Sequence, residues 1–245
     1  MSEIVIAGNT SGSVTIAAPD VAGTTTLTLP ATSGNIALSA SPQFTALISG
    51  SGTYTVPAGT TRLSIKMIGG GAGGAGGGNE FVGVAGNGGN TTFGSLLIAY
   101  GAPGASTTSA GGTGIIYPPA IGIVTTGNAG QGFWALSTGS YGTGGIGGAS
   151  QFGGCGIGNA NSVGIAAIAN SGAGGGGGGF SNAAALKYSG AGGGAGGYID
   201  AIINNPASSY SYTIGAGGTG GIGSGSGYNG AAGGSGIIYV TAYFN

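Results

Sequence analysis

The stretch TYTVPAGTTRLSIKMIGGGAGGAGGG, residues 53–78, joins two kinds of chain that behave differently. Within it, Arg62-Leu63-Ser64-Ile65-Lys66-Met67-Ile68 alternates. Leu63, Ile65 and Met67 fall on one side and Arg62, Ser64, Lys66 and Ile68 on the other, the period of a strand with one face buried. At Gly69 this pattern stops and a glycine tract begins. Strand-like runs recur at residues 96–100, 198–203, 211–214 and 237–243, each beside a glycine tract. The arrangement predicts a β framework with glycine segments packed against it.

The chief tracts cover residues 69–78, 172–179, 190–197 and 215–227. Collagen is excluded, because glycine is not sustained at every third position and there are only eight prolines. The tracts are then either mobile loops or extended left-handed threefold helices of the polyproline II type, packed side by side. Several separate tracts of similar length fit a bundle better than a linker. Only glycine lets such backbones approach closely enough for dense N–H···O and Cα–H···O contacts.

Glycine accounts for 65 of the 245 residues, so the chain loses unusual backbone entropy on folding. Disordered Gly/Ser-rich chains usually carry charge and little apolar content, whereas this chain is 40% hydrophobic and 3% charged. It reads as folded. Between Glu80 and Lys187 there is no charge at all, yet no run of about 20 apolar residues marks a membrane span. The opening MSEIVIAGNTSG lacks the basic flank and apolar core of a secretory signal, so release at cell lysis is one route outside.

Three basic residues and a net charge of −1 leave no electrostatic footprint for nucleic acid. The absence of histidine removes the commonest general base and the usual Ser or Cys triads. One cysteine and four scattered carboxylates make no convincing metal constellation, and Cys155 reads as a small buried apolar residue. Matches to G-x-G-x-x-G arise by chance at this glycine content and have no βαβ context. No enzyme, cofactor, nucleic-acid or membrane-insertion role is expected.

Composition changes near Pro42. The preceding residues are rich in Thr, Val, Ile and Ala, with strand patterns at 13–16 and 24–29 punctuated by Pro19, Gly23, Pro30 and Gly34. A segment of about 40 residues in short strands has no core of its own, so identical chains are its simplest neighbours. The expected fold class is all-β with polyglycine II-like segments. A strand-rich segment held between identical chains, 1–42, precedes a glycine-rich β-sandwich-like domain, 43–245.

Recognition is the remaining role for side chains. Tyr117, Phe133, Trp134, Tyr141, Phe180 and Tyr188 lie in the stretches that separate glycine tracts. Tyr and Trp supply large, rigid, amphipathic surface at little entropic cost. Each is either a core anchor or a contact. Adjacent strand positions point to opposite faces, which favours exposure of at least one of Phe133 and Trp134. The candidate recognition contacts are Tyr117, Phe133, Trp134 and Tyr141.

Residues 12–38, GSVTIAAPDVAGTTTLTLPATSGNIAL, resemble a segment common in phage tail fibres that forms part of an intertwined homotrimeric β region. SGTYTVPAGTTRLSIKMIGGGAGGAGGG, GNGGNTTFG, GAGGGGGGF, GAGGGAGGY, YTIGAGGTGG and GGSGIIYVTAYF resemble the glycine-rich domain of phage tail proteins. Distal adhesins of T-even-like phages are similar in using polyglycine helices. Residues 115–140 and 157–169 depart from the pattern and are either specificity insertions or extra framework. The resemblance implies a virion protein of the tail fibre or tail tip, partnered by other tail proteins and by a bacterial surface receptor, a polysaccharide or an outer-membrane protein. The alternatives are a purely structural tail component and a polyglycine-type ice-binding protein. The latter is disfavoured, because such folds are usually disulfide-stapled and a fibre-like segment would have no purpose there.

Overall fold

A computed structural model of the chain describes residues 3–7, 13–17, 41–79, 82–136, 141–181 and 187–244. The chain divides into two compact units, Met1–Leu38 and Ser39–Asn245. In the first, β1 (Glu3–Ala7) and β2 (Ser13–Ala17) form an antiparallel hairpin, Glu3 opposite Ala17 and Ala7 opposite Ser13. The strand expected at 13–16 lies in β2, and the one expected at 24–29 lies outside the described residues.

The second unit contains β3 (Gln43–Leu47), β4 (Ser51–Thr55), β5 (Thr60–Ile68), β6 (Thr91–Phe93), β7 (Leu97–Ala99), β8 (Gly114–Ile116) and β9 (Ile121–Thr125). After these come β10 (Ala135–Leu136), β11 (Lys187–Tyr188), β12 (Tyr198–Asn204), β13 (Ser209–Thr213) and β14 (Ile237–Phe244). No helix occurs among the described residues. One five-stranded sheet runs β3-β14-β5-β12-β9 and the other β4-β13-β6-β7-β8, with every pairing antiparallel. The fold is therefore all-β.

The alternation in β5 organises the core. Leu63, Ile65 and Met67 are wholly buried, opposite Ala242, Val240 and Ile238 of β14 and Ile203, Ala201 and Ile199 of β12. Tyr54, Phe93 and Leu97 of the second sheet belong to the same core, where the Phe93 ring stacks on Tyr210 at 4.9 Å. The tight turn at Pro57 carries the chain from one sheet to the other. Pro57 O accepts the Thr60 N–H, and Gly59 takes φ +80°, as the third position of a type II turn requires.

Lys66 and Asp200, opposite each other in register, pair at 3.5 Å on the other face of the first sheet, and Arg62 lies 4.3 Å over the Tyr243 ring. The Lys66–Asp200 pair is solvated enough to add little stability. Ile68 departs from the expected alternation. It is as buried as its core-facing neighbours because glycine segments close over it.

Residues 69–78 are buried throughout and pair with a period of three. Gly70, Gly73 and Gly76 donate to Gly89, Gly86 and Gly83; Gly71, Gly74 and Gly77 donate to Gly234, Ala231 and Tyr228. Ala72, Ala75 and Gly78 donate to Gly194, Ala191 and Tyr188, all nine bonds spanning 2.8–3.1 Å. The carbonyls point at further segments. Gly71, Gly74 and Gly77 accept from Gly218, Gly221 and Ser224, while Ala72 and Ala75 accept from Gly175 and Gly178. A β-strand bonds in two directions within one plane; here the backbone bonds in rotation around its axis.

The departures from the expected pattern join this framework where they are described. Residues 114–116 and 121–125 are the edge strands β8 and β9. Gly192 donates to Gln131, Ala195 to Asn128, and Gly176 to Ile165. Cys155 is half-exposed, not buried as expected, because it lies between the turn at 150–153 and the pairing of Gly156 with Gly174.

Two tyrosines predict the pH dependence of stability. Burial raises Tyr54 above the ordinary phenol value of 10.0, against a smaller opposing effect of the Thr45 side chain. Burial, followed by the charge and hydrogen bond of Asp200, raises Tyr198 as well. A raised phenol keeps its proton longer in the folded state. Its contribution is complete below pH 10 and is lost as pH rises from there through the folded value. With no histidine, melting temperature should hold nearly level from about pH 6 to 9 and fall above 10. Tyr54→Phe and Tyr198→Phe should flatten the alkaline fall in thermal melts; an unchanged slope in both would remove these groups as its cause.

Candidate functional site

Trp134 directly precedes β10, and its backbone is held on both sides by Ser189. The Trp134 N–H donates to Ser189 Oγ at 2.9 Å, and its carbonyl accepts the Ser189 N–H at 2.9 Å. β10 pairs with β11, and Tyr188 of β11 exchanges two hydrogen bonds of 2.9 Å with Gly78. Trp134 therefore stands at the level of Gly78, at the end of the tract that leaves β5 at Ile68. Tyr141 arrives at the same level by a different route. The next residue, Gly142, exchanges hydrogen bonds with Phe180, and a side chain at 142 would collide with the Phe180 ring.

Trp134 and Tyr141, 58% and 60% exposed, flank a cleft of about 330 Å³ completed by Gln131, Thr143 and Gly144. Gln131 is fixed at three points. Its N–H donates to Ile146 O at 2.7 Å, its carbonyl accepts from Gly192, and its Oε1 accepts the Ile146 N–H at 3.2 Å. Because that N–H needs an oxygen acceptor, the side-chain amide presents its NH₂ donors elsewhere. Among the described residues, no charged side chain lines the cleft.

Phe133, 36% exposed, packs on the Tyr188 ring at 5.8 Å, so it supports the cleft without lining it. Both Phe133 and Trp134 are exposed. Tyr117 is exposed but sits on the link between β8 and β9, before the cis Pro118–Pro119 bond, and does not line the cleft. Phe180 is fully buried, an anchor rather than a contact. The sequence reading missed Gln131 and Thr143, which carry no pattern of their own and matter only through the residues folded against them.

A second cleft, of about 390 Å³, includes Arg62, Asn204, Asn205 and Tyr243 at the end of the sheet where β5 begins. Among the described residues, no group of His, Cys, Asp or Glu is placed to hold a metal ion, and no helix is long and apolar enough to cross a membrane. No protein-family model and no curated protein matches the chain.

Proposed function

We propose that this chain is a structural protein of a phage tail fibre or tail tip, and that it attaches the virion to a receptor on the bacterial surface. Residues 1–42 act as a fibre segment that assembles as a homotrimer and joins other tail proteins. The glycine segments form a polyglycine II-like bundle that holds the recognition surface away from the sheets. What supports the bundle is pairing at every third residue in rotating directions, the period of a helix with three residues per turn. At about 3.1 Å per residue, the run from Ile68 to Gly78 corresponds to roughly 30 Å.

The observation that carries the attachment reading is the exposed Trp134–Tyr141 cleft at the far end of that tract. Rigid elements place a contact more accurately than free loops do, and a glycine scaffold leaves discrimination to the few large groups it displays. No chemical step is assigned to the protein, which acts by binding. Three copies per fibre and several fibres per virion turn weak contacts into durable attachment.

The purified chain should scatter light as a trimer, bind cells of susceptible strains and block virion adsorption to them. Changing salt from 50 to 500 mM should alter binding little, because the described lining of the cleft carries no charge to screen. A monomer at micromolar concentration removes the trimer. An ordered trimer that neither binds cells nor blocks adsorption leaves a purely structural tail component.

A further inference from the structure

We propose that the Trp134–Tyr141 cleft is a subsite for one neutral pyranose ring of a bacterial surface polysaccharide. This rests on reading the chain as an adhesin and names the chemistry of its receptor. Two exposed aromatic side chains flank a volume of about 330 Å³, at the small end of the roughly 300–1,000 Å³ typical of ligand sites. A pyranose has an apolar C–H face that stacks on such rings and a rim of hydroxyls that needs donors and acceptors. Both are provided. The Gln131 amide, its oxygen held by Ile146, offers N–H donors, and Thr143 and Tyr141 offer hydroxyls.

The lining is also selective by what it lacks. With no Lys or Arg, it provides no opposite charge for the phosphate or carboxylate of an acidic sugar, whose desolvation would be compensated only in part. A protein receptor fits less well, since a stable protein interface needs about 800 Å² on each side around an apolar centre. Five residues around a ring-sized hollow do not supply that.

Trp134 is the only tryptophan in the chain, so intrinsic fluorescence reads this cleft directly. Polysaccharide released from a strain that binds the protein, and a panel of neutral and acidic oligosaccharides, are titrated against the full chain. The neutral glycans should shift Trp134 emission saturably. Cell binding should be abolished by periodate, which cleaves vicinal diols, and should survive protease treatment of the cells.

Tyr141→Ala and Gln131→Glu should each weaken binding by about tenfold or more with thermal melts unchanged. Gln131→Glu keeps an oxygen for Ile146 while removing the donors and adding a charge, so its effect separates ligand contact from folding. Cell binding that survives periodate and is lost to protease overturns the saccharide site but leaves the adhesin reading intact. So does a preference for acidic glycans. Absence of both cell binding and any glycan-induced shift overturns both.

Discussion

Valine at position 175 or 193 should destabilise the protein by about 4 kcal/mol or more, a large part of the 5–15 kcal/mol typical of a folded domain. A Cβ at Gly175 would press into Ala231 O and lie 2.7 Å from the carbonyl of Ala232. At Gly193 it would press into Ala72 O and lie 2.6 Å from Gly73 O. These neighbours are backbone, held by their own bonds, and cannot rotate aside. Gly193 donates to Gly175 O, and Gly175 donates to Ala72 O, so displacement at either site breaks bonds in several segments together.

Crowding alone explains this cost. The described glycines with positive φ include Gly172 and Gly225, but neither 175 nor 193. Gly154→Val is the control, because nothing lies within 4 Å of a Cβ there, and it should change stability by no more than about 0.5 kcal/mol. Urea unfolding of the three variants checks the contrast. Equal stability at 175 and 154 would mean that the tract is not closely packed.

Amide exchange through residues 172–179 and 190–197 should be slowed by about 10³-fold or more, approaching the limit set by global unfolding. Glycine tracts free of structure would exchange at nearly the rate of an unfolded chain. Here, residues 171–180 and 189–197 are buried, and most of their N–H groups donate, to acceptors on several sides. The tract 215–227 is more exposed and should be protected less. Protection that is uniformly low across 172–179 and 190–197 would show mobile segments and remove the rigid support on which the attachment reading depends.

Alanine is the exception that shows how the packed glycine segments sort side chains. Ala72 and Ala75 are wholly buried three residues apart, and Ala75 packs with Val82, Ala85, Ala105 and Ala191. A methyl fits on such faces and fails where a carbonyl of the next segment already sits. The one-letter pattern GGGAGGAGGG therefore records local space along the tract, in a period that a search for apolar alternation does not detect.

The strands were legible to the extent that one face of each was apolar. Arg62 to Ile68 announced β5, and the runs at 198–203 and 237–243 correspond to β12 and β14, because burial imposes a period of two on side chains. β9 was not recognised. Ile121, Ile123 and Val124 of this edge strand are all exposed, so no core selects an alternation there. The edge strand β3 was missed as well; its residues are exposed or half-buried, with none fully covered.

The candidate site was half legible for a related reason. Exposure of Trp134 and Tyr141 follows from large rings placed among glycines, and both lie in the cleft. Tyr117 satisfies the same local description and lies outside it. By itself the sequence determined an all-β character, the buried face of β5 and the scarcity of charge, since those properties reside in side chains. The tertiary structure alone decided which glycine segment lies beside which, and hence that Gln131, Trp134, Tyr141 and Thr143 meet. Glycine has no side chain with which to encode a partner, so neighbours are set by backbone hydrogen bonds and segment lengths that exist only once the chain is folded.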